Sequence, residues 1–391
     1  MNYVDTKTFL TFSVMDCLFW AFFAACAGFT TTYLLECGMS SSVLSIMLAA
    51  YMGASFFGAF FWGPLCDKKQ TNRNIFIPEY IAAVATGFLI WFFASRNYWI
   101  SACLYPIFGF LAVPLGSNLD SWMLRAFHKD AGTYGRARSI GSIGYAVMAL
   151  GMGMLIGMFG YITIPVCSIT LAALVLAIAF SIKEEKFESV VVKTDRKNSG
   201  GIKDLMKIGP FMFGVVVVFF TGLSINPINN LKTVFIQNVG GDVGMLGMDS
   251  FIGVCVQALF IFISGNLKRI PANVRLFLMS CSVLITMVLI TTAINPWMII
   301  AGTVFSNMSY GIMLPTQREI VETCVPDQMK TTAHSLSDTM YGGFSGIIAL
   351  TYSGYIIDAF GARYVSMLGI CIMMIPCVLT LFKLFFSKKT V

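Results

Sequence analysis

Charged and aromatic side chains interrupt long apolar runs in this 391-residue chain, and their spacing carries the first chemical information. Asp120 and Arg138 lie 18 residues apart, on either side of a polar turn near Lys129. If each belongs to a helix, two antiparallel helices joined by that turn hold the two side chains level. A carboxylate and a guanidinium so placed either staple the helices together or share their hydrogen bonds with a hydroxylated or carboxylated ligand. Tyr145 comes seven residues after Arg138, two turns along the same helix face, where its ring could stack on a ligand. Asp16 and Trp20 stand at i and i+4, so a carboxylate and an indole share another face. Such a pair suits a solute with hydroxyls and a ring surface.

Further ionisable groups fall inside apolar runs: Glu79, Lys232, Glu319, Glu322 and Asp338. A charge at the centre of a spanning helix costs at least about 2.5–3.5 kcal/mol, so each is expected to face a cavity or a partner. Arg318 and Glu322, again i and i+4, are expected to neutralise each other. Lys232 keeps an anionic solute open. A carboxyl in such surroundings is a candidate proton carrier, and Asp16, Asp120, Glu319, Glu322 and Asp338 are the candidates. Asn226, Asn229 and Asn230 beside Pro227 are expected to unwind their helix where it lines a cavity.

The elements that must position these groups follow from composition. Hydrophobic residues make up 57% of the chain and charged residues only 12%, about half the share usual in soluble domains. A soluble enzyme, a disordered chain, a collagen and a coiled coil are all excluded. What remains is an all-α membrane protein. Spans of about 20 apolar residues fit at 9–35, 40–66, 75–94, 99–122, 136–158, 161–182, 208–238, 247–267, 276–294, 297–322, 334–357 and 364–386. Lys68, Lys69, Arg73, Arg125, Lys129, Lys268, Arg269 and Lys388 fall on one side of these spans, and only Arg96 and Arg363 in loops on the other. That asymmetry predicts a multi-pass protein of the cell membrane with both termini in the cytoplasm. The net charge of +7 reflects this loop bias and gives no sign of nucleic acid.

The stretch from Lys183 to Lys207 is the only long hydrophilic linker and divides the chain into two bundles, 1–182 and 208–391. The halves repeat. At a shift of 201, Gly141, Gly153, Gly160 and Pro114 recur as Gly342, Gly354, Gly361 and Pro315. At a shift of 202, Gly38 and Gly63 recur as Gly240 and Gly265. A parallel duplication of six spans predicts a solute site between the halves. The eleven Cys form no CxxC pair, and there is no HExxH, GxSxG or GxxxxGK[ST]. The sequence therefore offers no metal site, no cofactor, no ATP-binding loop and no familiar hydrolase nucleophile. Energy input must come from an ion gradient or the solute's own.

The loop Gly63–Arg73, GPLCDKKQTNR, resembles the signature of the major facilitator superfamily, G-x-x-x-D-[RK]-x-G-[RK]-[RK]. Gly63, Asp67 and Lys68 match it, Gln70 replaces the inner Gly, and Arg73 falls one place late. A degenerate copy lies at Gly265–Arg269. Gly63 is expected to allow close helix approach, and Asp67 to pair with a basic group or helix end on the neighbouring bundle, so that with Arg73 it latches the inner face in the outward-open state as a conformational gate. The segment Tyr134–Ala146, YGRARSIGSIGYA, resembles the lactose permease family and its phenylpropionate and nucleoside permease relatives, which share R-x-x-G-S/C-x-G there. In that family the Arg pairs with an acid 18 residues upstream and both contact the sugar, which implies the same for Arg138 and Asp120. Tyr145 stands where the lactose permease has a Trp. The family's proton-coupling His and Glu of span 10 are missing, and Gln257 is the only polar candidate at the level of its span-8 Glu.

The resemblance implies a major facilitator fold of twelve transmembrane helices in two pseudo-symmetric six-helix bundles. It implies a secondary transporter, not an enzyme, that takes up a small polar solute by alternating access with proton symport. A sugar or glycoside, a nucleoside and an aromatic acid are the solute classes. Asp120, Arg138, Tyr145, Asp16, Trp20, Lys232 and Gln257 are the candidate solute contacts. The expected partners are the solute, protons and the lipid bilayer, with no nucleic acid and a monomeric state. The alternatives are a multidrug or metabolite exporter of the same fold, or a membrane sensor that does not transport.

Overall fold

The computed structural model describes residues 5–128, 130–184, 202–263, 267 and 269–387, and among them there is helix and no strand. In chain order the helices are α1 (Thr6–Cys26), α2 (Thr30–Glu36), α3 (Ser41–Lys69), α4 (Arg73–Ala94), α5 (Tyr98–Ala126), α6 (Ala131–Phe159), α7 (Thr163–Ser181), the short α8 (Ile202–Leu205), α9 (Gly209–Asn230), α10 (Lys232–Asn238), α11 (Val243–Phe262), α12 (Ala272–Thr291), α13 (Pro296–Cys324), α14 (Lys330–Asp338), α15 (Ser345–Phe360) and α16 (Ala362–Ser387). Eleven helices are long and apolar enough to cross a membrane, with α1 and α2 counted as one. The twelfth predicted span, 334–357, is a continuous helical path through α14 and α15. A π-helical segment, Thr339–Phe344, joins them. Much of the outer surface is large and apolar: Phe57, Phe60, Met158 and Phe262 are all more than two-thirds exposed. Such faces suit hydrocarbon, not water.

The chain divides into two compact units, Met1–Val191 with Val243–Phe251, and Val192–Asp242 with Ile252–Val391. These differ from the predicted halves in that the first part of α11 clusters with the first unit. In the first unit α1 packs on α6 and α7, and α3 and α4 both pack on α5. Phe12, Phe19, Phe22, Phe76, Tyr80 and Trp122 fill its interior in edge and tilted contacts. In the second unit α12 packs on α13 and α16, and α9 on α15 and α16. Arg275 is its largest fully buried side chain. It donates to the Ile270 carbonyl, to Thr316 and to Glu319, so its charge is paired and its donors are used.

The repeat appears in the backbone itself. Four glycines among the described residues have positive φ, and they form two pairs: Gly38 (+89°) with Gly240 (+79°), and Gly160 (+75°) with Gly361 (+102°). Only glycine takes that conformation without a cost of about 1–2 kcal/mol. Helix caps follow the same order, because Asn97 caps α5 and Asn295 caps α13 through their side chains. Helix breaks recur as well. The first span is interrupted at residues 27–29 before the seven-residue α2, and the seventh at Leu231 before the seven-residue α10. The break predicted at Pro227 therefore comes one turn later, because the Leu231 N–H still bonds the Pro227 carbonyl and carries the helix past the proline. The repeat copy predicted at Gly265–Arg269 and the linker at 185–201 lie outside the described residues, apart from residues 267 and 269.

Candidate functional site

Three helices of the first unit, α1, α5 and α6, carry the charged cluster. Their close approach depends on small residues. A Cβ at Gly144 on α6 would stand 2.5 Å from the Cys17 carbonyl oxygen and 2.7 Å from its Sγ, so α1 lies against α6 at that point. One turn earlier on α6, a Cβ at Gly141 would overlap Asp16 Oδ2 and reach 2.9 Å from Trp20 Cδ1. On α5 a Cβ at Gly116 would lie 3.5 Å from the far edge of the same indole. Gly141 and Gly144 are the glycines of the R-x-x-G-S-x-G segment. The structure gives their physical reason, since they make room for Asp16, Cys17 and Trp20. The α6 N-terminus is fixed by Asp130, whose side chain accepts from the Gly132 and Thr133 N–H groups and the Thr133 hydroxyl. Those bonds hold the Asp130 carboxyl below its ordinary range.

The Arg138 guanidinium is the centre of the cluster. Its Nε lies 3.6 Å from Asp120 Oδ1, its Nη1 3.9 Å from Asp16 Oδ2, and its Cζ 4.2 Å from the centre of the Trp20 ring. The Tyr134 side chain interacts with Asp120 from the preceding turn of α6. Both ion-pair distances exceed the roughly 2.7–2.9 Å of a charge-assisted hydrogen bond. Both Asp16 oxygens, Trp20 Nε1, Asp120 Oδ1 and Arg138 Nη1 are buried without a well-formed hydrogen bond among the described residues, although the Trp20 indole and the Asp16 carboxylate lie near enough to interact. One guanidinium thus serves two carboxylates without closing on either. Such an arrangement has unused donors and acceptors beside an aromatic face. Tyr145 is half-buried on α6, about 10 Å along the axis from Arg138.

The remaining predicted residues fall elsewhere. Lys232 begins α10 in the second unit, buried, and donates to Thr303 at 2.6 Å. Gln257 is half-buried on α11, where that helix crosses α13 at Gly311. Glu319 is held by Arg275 at 2.7 Å. Glu322 does not pair with Arg318 as its spacing predicts. It meets Lys330 at 2.8 Å and His334 at 3.1 Å, because the chain folds back after α13 and brings those cations to its outer face. Arg318 instead reaches Asp338 on α14 at 2.7 Å. Glu79 is buried in the first unit and accepts from Asn118 at 2.7 Å.

At the end of α3, Asp67 pairs with Arg125 of α5 at 3.1 Å, within its own unit. Gly63 does not mark a close helix contact, since no described atom lies within 4 Å of where its Cβ would stand. The tight crossing of α3 and α5 is instead at Gly58, where a Cβ would overlap the Phe110 carbonyl oxygen, and at Gly109 against Tyr51. Arg73 does not pair with Asp67. It donates to the Ala179 and Phe180 carbonyls at the end of α7. Glu184, just past α7, accepts in return from the Thr71 hydroxyl and the Asn72 and Arg73 N–H groups at the start of α4. The two helix ends therefore cap each other.

A profile of the MFS_1 like family matches residues 9–368, nearly the whole chain. The chain belongs to this family. Among curated proteins of the same kind, maltose permease of Geobacillus stearothermophilus is 23% identical over 315 residues, covering 78% of this chain and 76% of its own. The transporter YwbF of Bacillus subtilis is also 23% identical, over 319 residues, covering 79% and 75%. The solved structure of a point variant of the nucleoside transporter NupG superposes with a TM-score of 0.82 at 12% identity, covering 96% of this chain and 99% of that one. The D-xylose–proton symporter gives 0.68 at 12%, covering 95% and 96%. At such identities the likeness speaks for the fold, which is that of major facilitator transporters.

Proposed function

We propose that this member of the MFS_1 like family is a secondary transporter that takes up a small hydroxylated solute, a sugar or glycoside first of all, together with a proton. The observation that carries this reading is the open charge cluster of Asp16, Asp120 and Arg138 on the Trp20 ring. A guanidinium held off both carboxylates can donate to two solute oxygens, while the carboxylates accept from neighbouring hydroxyls. The indole supplies the flat apolar surface that one face of a sugar ring matches. The name of the maltose permease relative supports the same solute class. Two carboxylates beside one guanidinium leave one negative charge over, and a proton taken up with the solute balances it. Asp16, which is fully buried, is the proposed carrier beside Asp120, and Tyr145, Lys232 and Gln257 are further proposed solute contacts. Glu319, Glu322 and Asp338, each held in an ion pair, are proposed to keep the second unit together. The Asp67–Arg125 pair is proposed to steady the inner face, in a cell-membrane protein with both termini cytoplasmic.

A thermal-shift screen of sugars, nucleosides and aromatic acids identifies the solute, and transport is then measured in proteoliposomes. The wild type should accumulate it uphill under an inward proton gradient and lose that accumulation with a protonophore. Asp16→Asn should retain solute counterflow but not uphill accumulation. Uptake indifferent to the proton gradient would overturn symport. Absence of any exchange would favour the sensor reading.

A further inference from the structure

A cavity of about 760 Å³ opens in the first unit, away from the Arg138 cluster, at the end where α1 begins and where α5 and α7 finish. Its floor is apolar, built from Phe12, Trp122, Ala126 and Ile182. Its rim carries Lys7, Arg125, His128 and Lys183. Thr8, Thr11 and Ser181 add hydroxyls, and Glu184 is the single acid among the lining residues. That carboxylate is engaged with the start of α4 through three hydrogen bonds. Lys7, Lys183 and His128 thus share the cavity with one acid that is already used, while Arg125 is paired with Asp67. The volume lies within the range of small-molecule sites. His128 holds its place in a left-handed backbone conformation, φ +51°, just past the last turn of α5.

We propose that this cavity is a binding site for a phosphate-bearing anion. The phosphate sits among Lys7, His128 and Lys183, and the organic part rests on Phe12 and Trp122. The charge pattern asks for an anion, because Lys7, His128 and Lys183 meet at the exposed mouth of the cavity, where the one lining acid is already engaged and like charges raise the local potential for an anion. The pairing of a cationic rim with an apolar floor asks for a ligand that has both parts. A simple inorganic ion would use only the rim. Two sources supply that chemistry: the headgroup of an anionic phospholipid at the membrane surface, where basic pockets between helices attract such lipids, and a soluble organic phosphate. Arg125 lines the cavity and also pairs with Asp67. Occupancy would therefore be felt at the end of α3.

The test uses the whole protein. Phosphatidylglycerol and phosphatidylcholine bound after detergent extraction are counted by native mass spectrometry. Unfolding temperature is followed with inorganic phosphate, glycerol 3-phosphate and a hexose phosphate. A lipid site predicts selective retention of phosphatidylglycerol, reduced about tenfold in the Lys7→Gln, His128→Gln, Lys183→Gln triple variant. A soluble-phosphate site predicts a rise in unfolding temperature with the organic phosphates, larger than with inorganic phosphate and lost in the triple variant. A second, charge-neutral variant, Thr11→Trp, fills the cavity and should abolish the same response. In the unaltered protein, the responding ligand should change indole fluorescence in a way that Trp122→Phe removes. No preference for phosphatidylglycerol together with no response to any phosphate would overturn the proposal, as would equal binding by wild type and Thr11→Trp.

Discussion

The two units place an acid and an arginine on the same hairpin and use them differently. On α5 and α6 the acid comes first, Asp120, and the arginine second, Arg138. On α13 and α14 the order is reversed, Arg318 and then Asp338. The second pair is closed at 2.7 Å between side chains that are 40% and 56% exposed. The first is open at 3.6 Å, and a third group, the fully buried Asp16, stands 3.9 Å away. Exposed pairs contribute about 0.2–1 kcal/mol, so Arg318–Asp338 is a modest clamp. An arginine held between two carboxylates over an indole closes on neither, which makes a poor clamp and leaves donors for the proposed solute. Distance, not the presence of an ion pair, separates the two arrangements.

The contrast breaks or sharpens under substitution. Arg138→Lys removes the planar fork and up to two charge-assisted hydrogen bonds of about 1.5–3 kcal/mol each. Initial uptake rates should fall at least about 100-fold by that measure, while Arg318→Lys should stay within about threefold of wild type. Equal losses would erase the distinction. Charge exchange comes next. Asp120→Arg with Arg138→Asp should remain at least about 30-fold below wild type, because the Trp20 face and Asp16 now meet the wrong charge. Arg318→Asp with Asp338→Arg should recover most of the activity that either single change removes. Transport assays on the exchanged pairs and their single variants decide this, and recovery of the first exchange would make Asp120–Arg138 a staple.

The repeat glycines give a smaller and cleaner test. Gly141→Ala drives a methyl into Asp16 and Trp20, and solute affinity should fall about tenfold, roughly 1.4 kcal/mol. Gly342, its repeat partner, has no described atom within 4 Å of the point where a Cβ would stand. Gly342→Ala should leave affinity unchanged, since alanine is favoured over glycine in helices by up to about 1 kcal/mol. Titration of solute against intrinsic fluorescence measures both. The smallest effect belongs to Asp67→Asn. Its pair with Arg125 is partly exposed, 67% and 32%, so neutralising it should shift the inner-face equilibrium by at most about fivefold. Labelling of single cysteines on the inner face reports that shift.

Much of the site is legible in the sequence. The 18-residue hairpin brings Asp120 level with Arg138, and i, i+4 spacing puts Asp16 beside Trp20, because both relations are local to one helix or one turn. The approach of Asp16 to Arg138 is not legible, since it depends on α1 lying against α6 at Gly141 and Gly144, residues far from Asp16 in the chain. Arg318 and Glu322 show the reverse failure. Their spacing permits a pair, but better-placed partners, Asp338 for one and Lys330 with His334 for the other, arrive from the next segment. Gly63 matches a signature whose reason, close packing, this chain meets at Gly58 instead. Glu184 is invisible as a helix cap because the contact joins the end of α7 to the start of α4 across 112 residues.

The left-handed glycines, finally, say something about ancestry. Gly38 and Gly240, and Gly160 and Gly361, keep their backbone handedness at shifts of 202 and 201, although the hairpins between them have exchanged acid for base. An ion pair looks the same to its surroundings when its members trade places, so drift can pass through that exchange by way of two tolerable intermediates. Chirality offers no such exchange: every side chain other than hydrogen meets the same penalty at those turns. In this chain, whose halves share few residues, these four turns are where the two six-helix units still agree in backbone handedness.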